Sequence, residues 1–359
     1  MKYHFPFLIL VVTSISSSGQ VDSVASHHMP DRLSETVPLD TSAIRSTLLL
    51  TFADGPEGYS LATSLLTVKE LRQKVGVIVA AVSSIDSQAA QDLKRLGAQV
   101  RALTPLGTAL FRGVDWAFLL APLTSDRLER GLELMQTAAA ARVPNVLLLS
   151  VVGAENWNST GTTGSLQDYW LLENYLKNAW EDKAVVLRTY FYQQNLGFWA
   201  SDVIKTQGVI RLPLLEGRFF SPLHQLDVAR AAAVVAQHRR VNSQHAGKTF
   251  NLTGPDLFDG GLLAATASEA VGRQLAYEKI GLGVCTEILR ESGQLDGSEA
   301  RLLLGLLELH PKLCASGGLV CPSPDVADIT GGPATPAAAY FREHKAEFGR
   351  HLLPSRTVS

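Results

Sequence analysis

Strand-length apolar runs alternate with helix-length segments from Ser46 to about residue 190, and this alternation constrains the fold more than any other feature of the chain. Each run is rich in Leu, Val or Ala, which predicts a strand buried on both faces. Strand and helix in regular turn predict βαβ units and a parallel sheet covered by helices. The predicted strands are residues 47–51, 77–82, 99–103, 116–121 and 145–150, and the predicted helices are residues 59–74, 87–96, 128–142 and 228–238.

Composition excludes several classes of function. The 359 residues include 32 basic and 34 acidic side chains, a formal net charge of −2, so the chain lacks the basic footprint of a nucleic-acid binder. No segment has the roughly 20 apolar residues that a bilayer span needs, so no stable membrane span is predicted. The three cysteines allow one bridge, Cys314 to Cys321, and are too few for a cysteine metal site.

The first 45 residues are predicted to lie outside the folded core. Residues 1–20 have a basic Lys2, an apolar run over residues 5–12 and a small-residue stretch, the order typical of a secretory signal peptide. Residues 21–45 are polar and aperiodic, which predicts a linker. A genuine leader would direct the chain to the secretory pathway, whereas without one the expected compartment is the cytoplasm.

The turn after the first predicted strand is a weakened form of a dinucleotide-binding turn. In such a turn the first glycine makes a tight bend, the second lets the backbone approach the pyrophosphate, and the third permits close helix packing. Gly55 and Gly58 keep the later spacing, but Phe52 stands at the first position and Asp54 adds a negative charge. The alternative is a turn that uses its glycines for geometry alone.

Several blocks along the chain match one family in their order and spacing. Together they resemble the NmrA-like proteins, which are atypical relatives of the short-chain dehydrogenases/reductases. The resemblance covers roughly residues 48–280, with an echo at residues 335–348. The matching blocks are residues 113–120, 138–153, 173–176, 187–195, 227–230 and 250–255.

The resemblance implies an α/β fold with a Rossmann-type doubly wound parallel sheet in residues 46–190. It also implies a smaller C-terminal α/β substrate or partner domain in residues 191–350, parts of which return to the Rossmann sheet. NADP or NAD is the implied cofactor. The residues that would hold it are Gly55, Gly58, Ser83, Pro122 and Ser150.

Four positions depart from the family pattern where the resemblance places the cofactor. Phe52 replaces a glycine, Ser83 stands where an arginine is expected, and Thr104 stands where an aspartate is expected. Tyr169 replaces a lysine and cannot supply its positive charge at neutral pH. Tyr169 is the candidate catalytic residue, and Glu173, four residues later, would raise the pKa of its phenol.

These departures predict that cofactor binding is weakened or lost. The predicted function is a non-catalytic or weakly cofactor-binding regulatory module that binds a small molecule or a protein partner. The alternative is a divergent NAD(P)H-dependent reductase of a small carbonyl or quinone substrate. Asp227 is expected to begin the helix over residues 228–238, and His224 is expected to be structural.

Overall fold

The computed structural model describes residues 45–348, with gaps at residues 123, 158–164, 200–206, 215–216, 292–302, 308, 310–311, 314 and 316–320. The predicted leader at residues 1–20, all but the last residue of the predicted linker at residues 21–45, and Cys314 of the Cys314–Cys321 pair lie outside the described residues. Cys285 is a buried free thiol. Within the described ranges, no helix combines the length and apolar character that crossing a bilayer requires.

A seven-stranded sheet lies at the centre of the fold, and all of its strands pair in parallel in the order β3-β2-β1-β4-β5-β6-β8. The order 3-2-1-4-5-6 is that of doubly wound dinucleotide-binding folds, which confirms the predicted fold class. A separate parallel pair joins β7 (Val209–Leu212) to β9 (Ala276–Lys279). The strands of the main sheet are β1 (Thr47–Leu50), β2 (Val77–Val82), β3 (Gln99–Ala102), β4 (Trp116–Leu119), β5 (Asn145–Val151), β6 (Ala184–Thr189) and β8 (Thr249–Asn251).

The α-helices with described bounds lie between and after these strands. They are α1 (Pro56–Thr67), α2 (Lys69–Arg72), α3 (Gln88–Arg95), α4 (Arg127–Ala140), α5 (Ser165–Trp180), α6 (Leu196–Trp199), α7 (Gln225–Val235), α8 (Gly260–Val271), α9 (Leu282–Glu291), α10 (Asp325–Thr330), α11 (Ala337–Glu343) and α12 (Lys345–Phe348).

Both faces of the main sheet are covered by helices, as the buried apolar runs predicted. Leu48 and Leu50 of β1 pack in the cluster that contains the apolar residues of α1 and α7. Leu49, which alternates with them, packs in the cluster that contains residues of α4 and α5. Successive side chains of a strand point to opposite faces, so this short strand contributes to two separate cores. All three leucines are fully buried.

Two predicted helix boundaries are wrong. The helix expected over residues 59–74 is divided into α1 and α2, because Val68 between them has an extended backbone with φ −78° and ψ 113°. Asp227 does not begin α7, because the helix starts at Gln225 and His224 caps it by accepting the Leu226 N–H on Nδ1 at 3.1 Å. Asp227 lies in the first turn and accepts the Thr335 N–H at 2.7 Å instead.

Candidate functional site

The turn between β1 and α1 keeps the geometry of a glycine turn although its first glycine is Phe52. Phe52 has φ +48°, in the left-handed region that favours glycine. The Gly55 N–H donates to the Phe52 carbonyl at 2.9 Å. A Cβ on Gly58 would lie 2.2 Å from the same carbonyl oxygen, so the close approach of α1 to the turn requires glycine there. Gly58 therefore serves packing, the role expected of the third glycine.

The N-terminus of α1 is altered where a Rossmann fold binds pyrophosphate. Such a site uses free backbone N–H groups and the positive end of the helix dipole. Pro56, the first residue of α1, has no N–H to offer. The next residue, Glu57, accepts a hydrogen bond from the Tyr192 hydroxyl. Burial raises the pKa of Glu57 to about 7, although the Tyr192 hydrogen bond lowers it.

The side chain of Asp54 lies at the carboxyl end of β2. The buried carboxylate of Asp54 accepts the Ser83 N–H at 2.8 Å and the Ser84 N–H at 3.1 Å. Asp54 therefore joins the glycine turn to the residues that follow β2, and each of its carboxylate oxygens accepts one of these backbone hydrogen bonds. Ser83, predicted to contact the cofactor, has an exposed side chain and a backbone N–H that Asp54 already engages.

Ser150, at the carboxyl end of β5, belongs to a buried ion network. Its hydroxyl donates to Glu173 Oε1 at 2.6 Å, and Glu173 is fully buried. Arg188 of β6 donates to the same carboxylate, from Nε at 2.9 Å and from Nη2 at 2.7 Å. Arg188 Nη1 lies 2.6 Å from Glu155 Oε2. The predicted cofactor ligand Ser150 is thus engaged inside the protein.

Tyr169, the candidate catalytic residue, is a buried residue of α5. Burial raises the pKa of its phenol to about 12, the charges of Glu57 and Asp168 raise it further, and Arg127 lowers it. Glu173 was expected to raise this pKa, but it pairs with Arg188 instead. A phenol with this pKa stays protonated at neutral pH and lacks the nearby lysine that tunes a general acid.

Arg127 is the residue at this site that sequence reasoning missed. It is the first residue of α4 and is 1% exposed. Its guanidinium carbon lies 5.1 Å from the centroid of the Tyr169 ring, and Nη1 lies 3.4 Å from Asp168 Oδ2. A positive charge therefore lies beside the position where the resemblance expects a lysine. No motif marks Arg127, and only the fold brings α4 and α5 together.

The buried Pro122 completes the group of predicted residues, in the loop between β4 and α4. Gly55, Gly58 and Pro122 thus lie at the carboxyl edge of β1 and β4, while Ser83 follows β2 and Ser150 lies in β5. In the described part of the chain, no group of His, Cys, Asp and Glu could hold a metal ion. Strand order, glycine turn and edge geometry define a Rossmann-type α/β protein.

Comparisons with known proteins agree with this class. No protein-family model matches the chain. An NAD(P)H azoreductase of Xenophilus azovorans is 29% identical over 270 residues, which are 74% of this chain and 88% of the relative. An NADPH-dependent quinone oxidoreductase of Escherichia coli, solved with NADPH, has a TM-score of 0.64 and 22% identity over 82% of this chain and 99% of its own.

NmrA, a negative transcriptional regulator solved in complex with NADP, has a TM-score of 0.62 and 16% identity over 84% of this chain and 95% of its own. These matches confirm the predicted resemblance. The chain has the NmrA-like type of fold, which a quinone oxidoreductase and a transcriptional regulator share.

Proposed function

We propose that this protein is a ligand-binding or regulatory module of the NmrA-like fold that does not turn over a dinucleotide. The observation that carries the proposal is the Glu57 carboxylate at the N-terminus of α1, hydrogen-bonded to Tyr192. It follows Pro56, which removes one of the N–H donors that a pyrophosphate would use. The Rossmann scaffold is retained, but Pro56 and Glu57 stand at the N-terminus of α1, where a pyrophosphate would bind.

The size of the effect supports loss of binding. Two like charges about 4 Å apart near a protein surface repel by about 4 kcal/mol. A micromolar dissociation constant corresponds to about −8 kcal/mol and a millimolar one to about −4 kcal/mol. Because the pKa of Glu57 is about 7, uptake of a proton relieves this repulsion at a cost of about 1.4 kcal/mol at pH 8. The carboxylate alone therefore weakens binding by about tenfold, and the N–H donor lost at Pro56 weakens it further.

Calorimetry with the full chain tests the proposal. Titration with NADPH and with NADH at pH 8, where Glu57 is ionised, is expected to show no binding below millimolar concentration. The triple variant Phe52→Gly, Pro56→Gln, Glu57→Gln rebuilds the turn and is expected to gain measurable NADPH affinity. A micromolar dissociation constant for the wild-type chain would overturn the proposal.

A reductase is the second candidate, and the similarity to an NAD(P)H azoreductase favours it. The charge of Arg127 beside Tyr169 also supports it, because a cation there stands in for the expected lysine. NADPH oxidation in the presence of a quinone, an aldehyde or an azo dye measures this activity directly. Turnover by the wild-type chain would establish the reductase and displace the first proposal.

A further inference from the structure

Arg127 is a buried arginine that, in the part of the chain that the structure describes, pairs with Asp168 through one nitrogen and leaves its other two donor atoms unsatisfied. Its Nε and Nη2 atoms are buried and have no hydrogen-bond partner within the described ranges. Its closest acidic contact is Nη1 to Asp168 Oδ2, at 3.4 Å. Buried polar groups are nearly always hydrogen-bonded, and an unpaired buried charge is costly. The two unsatisfied donor atoms of Arg127 are therefore candidate contacts for a ligand.

Arg188 shows what this edge of a guanidinium binds in the same protein. Its Nε and Nη2 atoms donate hydrogen bonds to the two oxygens of Glu173, at 2.9 and 2.7 Å. These are the same two atoms that have no partner in Arg127 within the described ranges. Two parallel N–H groups in a plane match the two oxygens of a carboxylate. The Nε and Nη2 edge of Arg127 is buried and has no partner among the described residues, so it fits a carboxylate that those residues do not provide.

The place of Arg127 in the fold is where α/β proteins bind ligands. Residue 127 begins the helix that follows β4, and β4 lies beside β1 at the point where the strand order reverses. Ligands of open α/β sheets bind outside the carboxyl ends of strands at this switch point. The partners of the Arg127 guanidinium are Tyr169 and Asp168, both on α5.

Besides its charged neighbours, Tyr169 packs against aromatic and apolar side chains. Tyr169 belongs to the same buried cluster as Leu166, Tyr190 and Phe191. Such walls exclude water and strengthen a charge-assisted hydrogen bond. They also favour a ligand whose carboxylate is attached to an apolar or aromatic body.

We infer that Arg127 anchors a binding site for a small carboxylate with an apolar body, held in bidentate fashion by Nε and Nη2 at the carboxyl end of β4. This inference rests on the proposed function and deepens it, since it names the class of ligand that the module binds. The dinucleotide cradle at α1 and the carboxylate site at α4 are different parts of the same edge.

Benzoate titration of the full chain tests the inference, with thermal unfolding and calorimetry as readouts. Benzoate is expected to raise the melting temperature, and benzamide, which has the same shape but no charge, is expected to leave it unchanged. Arg127→Lys keeps the charge but loses the fork, so its benzoate affinity is expected to fall at least about tenfold, the loss of roughly one hydrogen bond to a charged group.

Arg130→Lys is the matched control, because Arg130 lies on the same helix with its guanidinium carbon 5.0 Å from the Phe52 ring. Its benzoate affinity is expected to equal that of the wild-type chain. Equal affinity of the wild-type chain and Arg127→Lys, or equal binding of benzoate and benzamide, would overturn the inference. An Arg127-dependent response to inorganic phosphate with none to benzoate would replace the carboxylate with a phosphoryl group.

Arg127→Met provides a second readout that does not depend on ligand. This variant removes two unsatisfied buried donors, and Asp168, whose side chain is 23% exposed, can be solvated by water when its ion pair is lost. The melting temperature of the ligand-free protein is therefore expected to stay unchanged or rise by about 2 °C, and the benzoate response is expected to be abolished. A large loss of thermal stability would mean that Arg127 is structural and would overturn the inference.

NADPH calorimetry on the same samples separates the two proposals. NADPH binding together with an Arg127-dependent benzoate response would end the first proposal and keep the carboxylate site. Absence of both would keep the first proposal and end the carboxylate site.

Discussion

The two halves of the carboxyl edge of the main sheet differ in how completely their charged side chains are paired. On the β5–β6 side, Glu173 is fully buried and satisfied by Ser150 and Arg188. On the β1–β4 side, the half-buried Glu57 accepts a hydrogen bond from a tyrosine hydroxyl, and two donor atoms of the Arg127 guanidinium have no partner among the described residues. The first half is a closed network, whereas the second keeps charges whose partners are incomplete.

This difference separates what holds the fold from what serves a ligand. A buried carboxylate bonded to a serine and to both arms of an arginine fork leaves little for a ligand to add. Incomplete pairing costs stability, and Arg127 carries such a cost at the switch point between β1 and β4. The altered turn at α1 and the unsatisfied edge of Arg127 therefore lie on the same side of the molecule, which is where we propose the ligand site.

The largest expected effect comes from breaking the closed network. Glu173→Gln removes the fully buried carboxylate that pairs with the Arg188 fork and leaves Arg188 only its ion pair with Glu155. The variant is expected to lower the free energy of unfolding by about 3–5 kcal/mol. Urea denaturation measures the change. Ser150→Ala removes one hydrogen bond to the same carboxylate and is expected to cost only about 1 kcal/mol. Similar losses in the two variants would mean that the ion pair is not what stabilises this half.

The glycine turn offers a sharper test of close packing on the other half. Gly58→Ala places a Cβ 2.2 Å from the Phe52 carbonyl oxygen, and the forced shift of α1 is expected to cost about 2–3 kcal/mol. Gly55→Ala is the matched variant, because its Cβ would lie 3.2 Å from the same atom. Its expected cost is below about 1 kcal/mol. If chemical denaturation gives equal losses, Gly58 has no packing role.

The raised pKa of Glu57 predicts that the free energy of unfolding depends on pH. Its folded pKa of about 7 lies above the ordinary 4.5, so between these values the folded state binds more protons than the unfolded state. Stability therefore falls as pH rises from about 4.5 to 7 and stays lower above that range. Glu57→Gln is expected to be more stable than the wild-type chain by about 1–2 kcal/mol at pH 8, after allowance for partial exposure, with no gain near pH 4.

Denaturation curves at pH 4, 6 and 8 measure this difference. Glu70→Gln is the control, because Glu70 is an exposed residue of α2. Its stability difference from the wild-type chain is expected to stay constant with pH. A constant difference for Glu57→Gln as well would show that the carboxylate is not desolvated.

The smallest expected effect concerns the left-handed backbone of Phe52. Both Phe52→Gly and Phe52→Ala lose the ring that Arg130 contacts, but glycine adopts φ +48° without strain, whereas alanine keeps the strain. Phe52→Gly is therefore expected to be more stable than Phe52→Ala by about 1 kcal/mol, measured by thermal unfolding. The reverse order would mean that the turn relaxes to another conformation.

Much of the fold could be predicted because it depends on local pattern. Buried apolar runs such as Val77–Val82 have no polar face, and Gly97 has the positive φ that a helix end requires. The division of the predicted helix at Val68 was missed because no proline or glycine marks it. The start of α7 was missed because histidine is an unusual cap, whereas Asp227 looked like an ordinary one.

The candidate site was only half predictable, for the same reason. Gly55 and Gly58 form a motif within a few residues, so the sequence alone determined that a strand-to-helix turn of the dinucleotide-binding type lies at the edge of a parallel sheet. Only the tertiary structure decided which partner each charged side chain at that edge has. Glu57 meets Tyr192, Glu173 meets Arg188, and Arg127 reaches Tyr169 without a complete partner. These contacts join residues far apart in the chain, and the strength of a charge depends on burial and neighbours, which a local pattern does not encode.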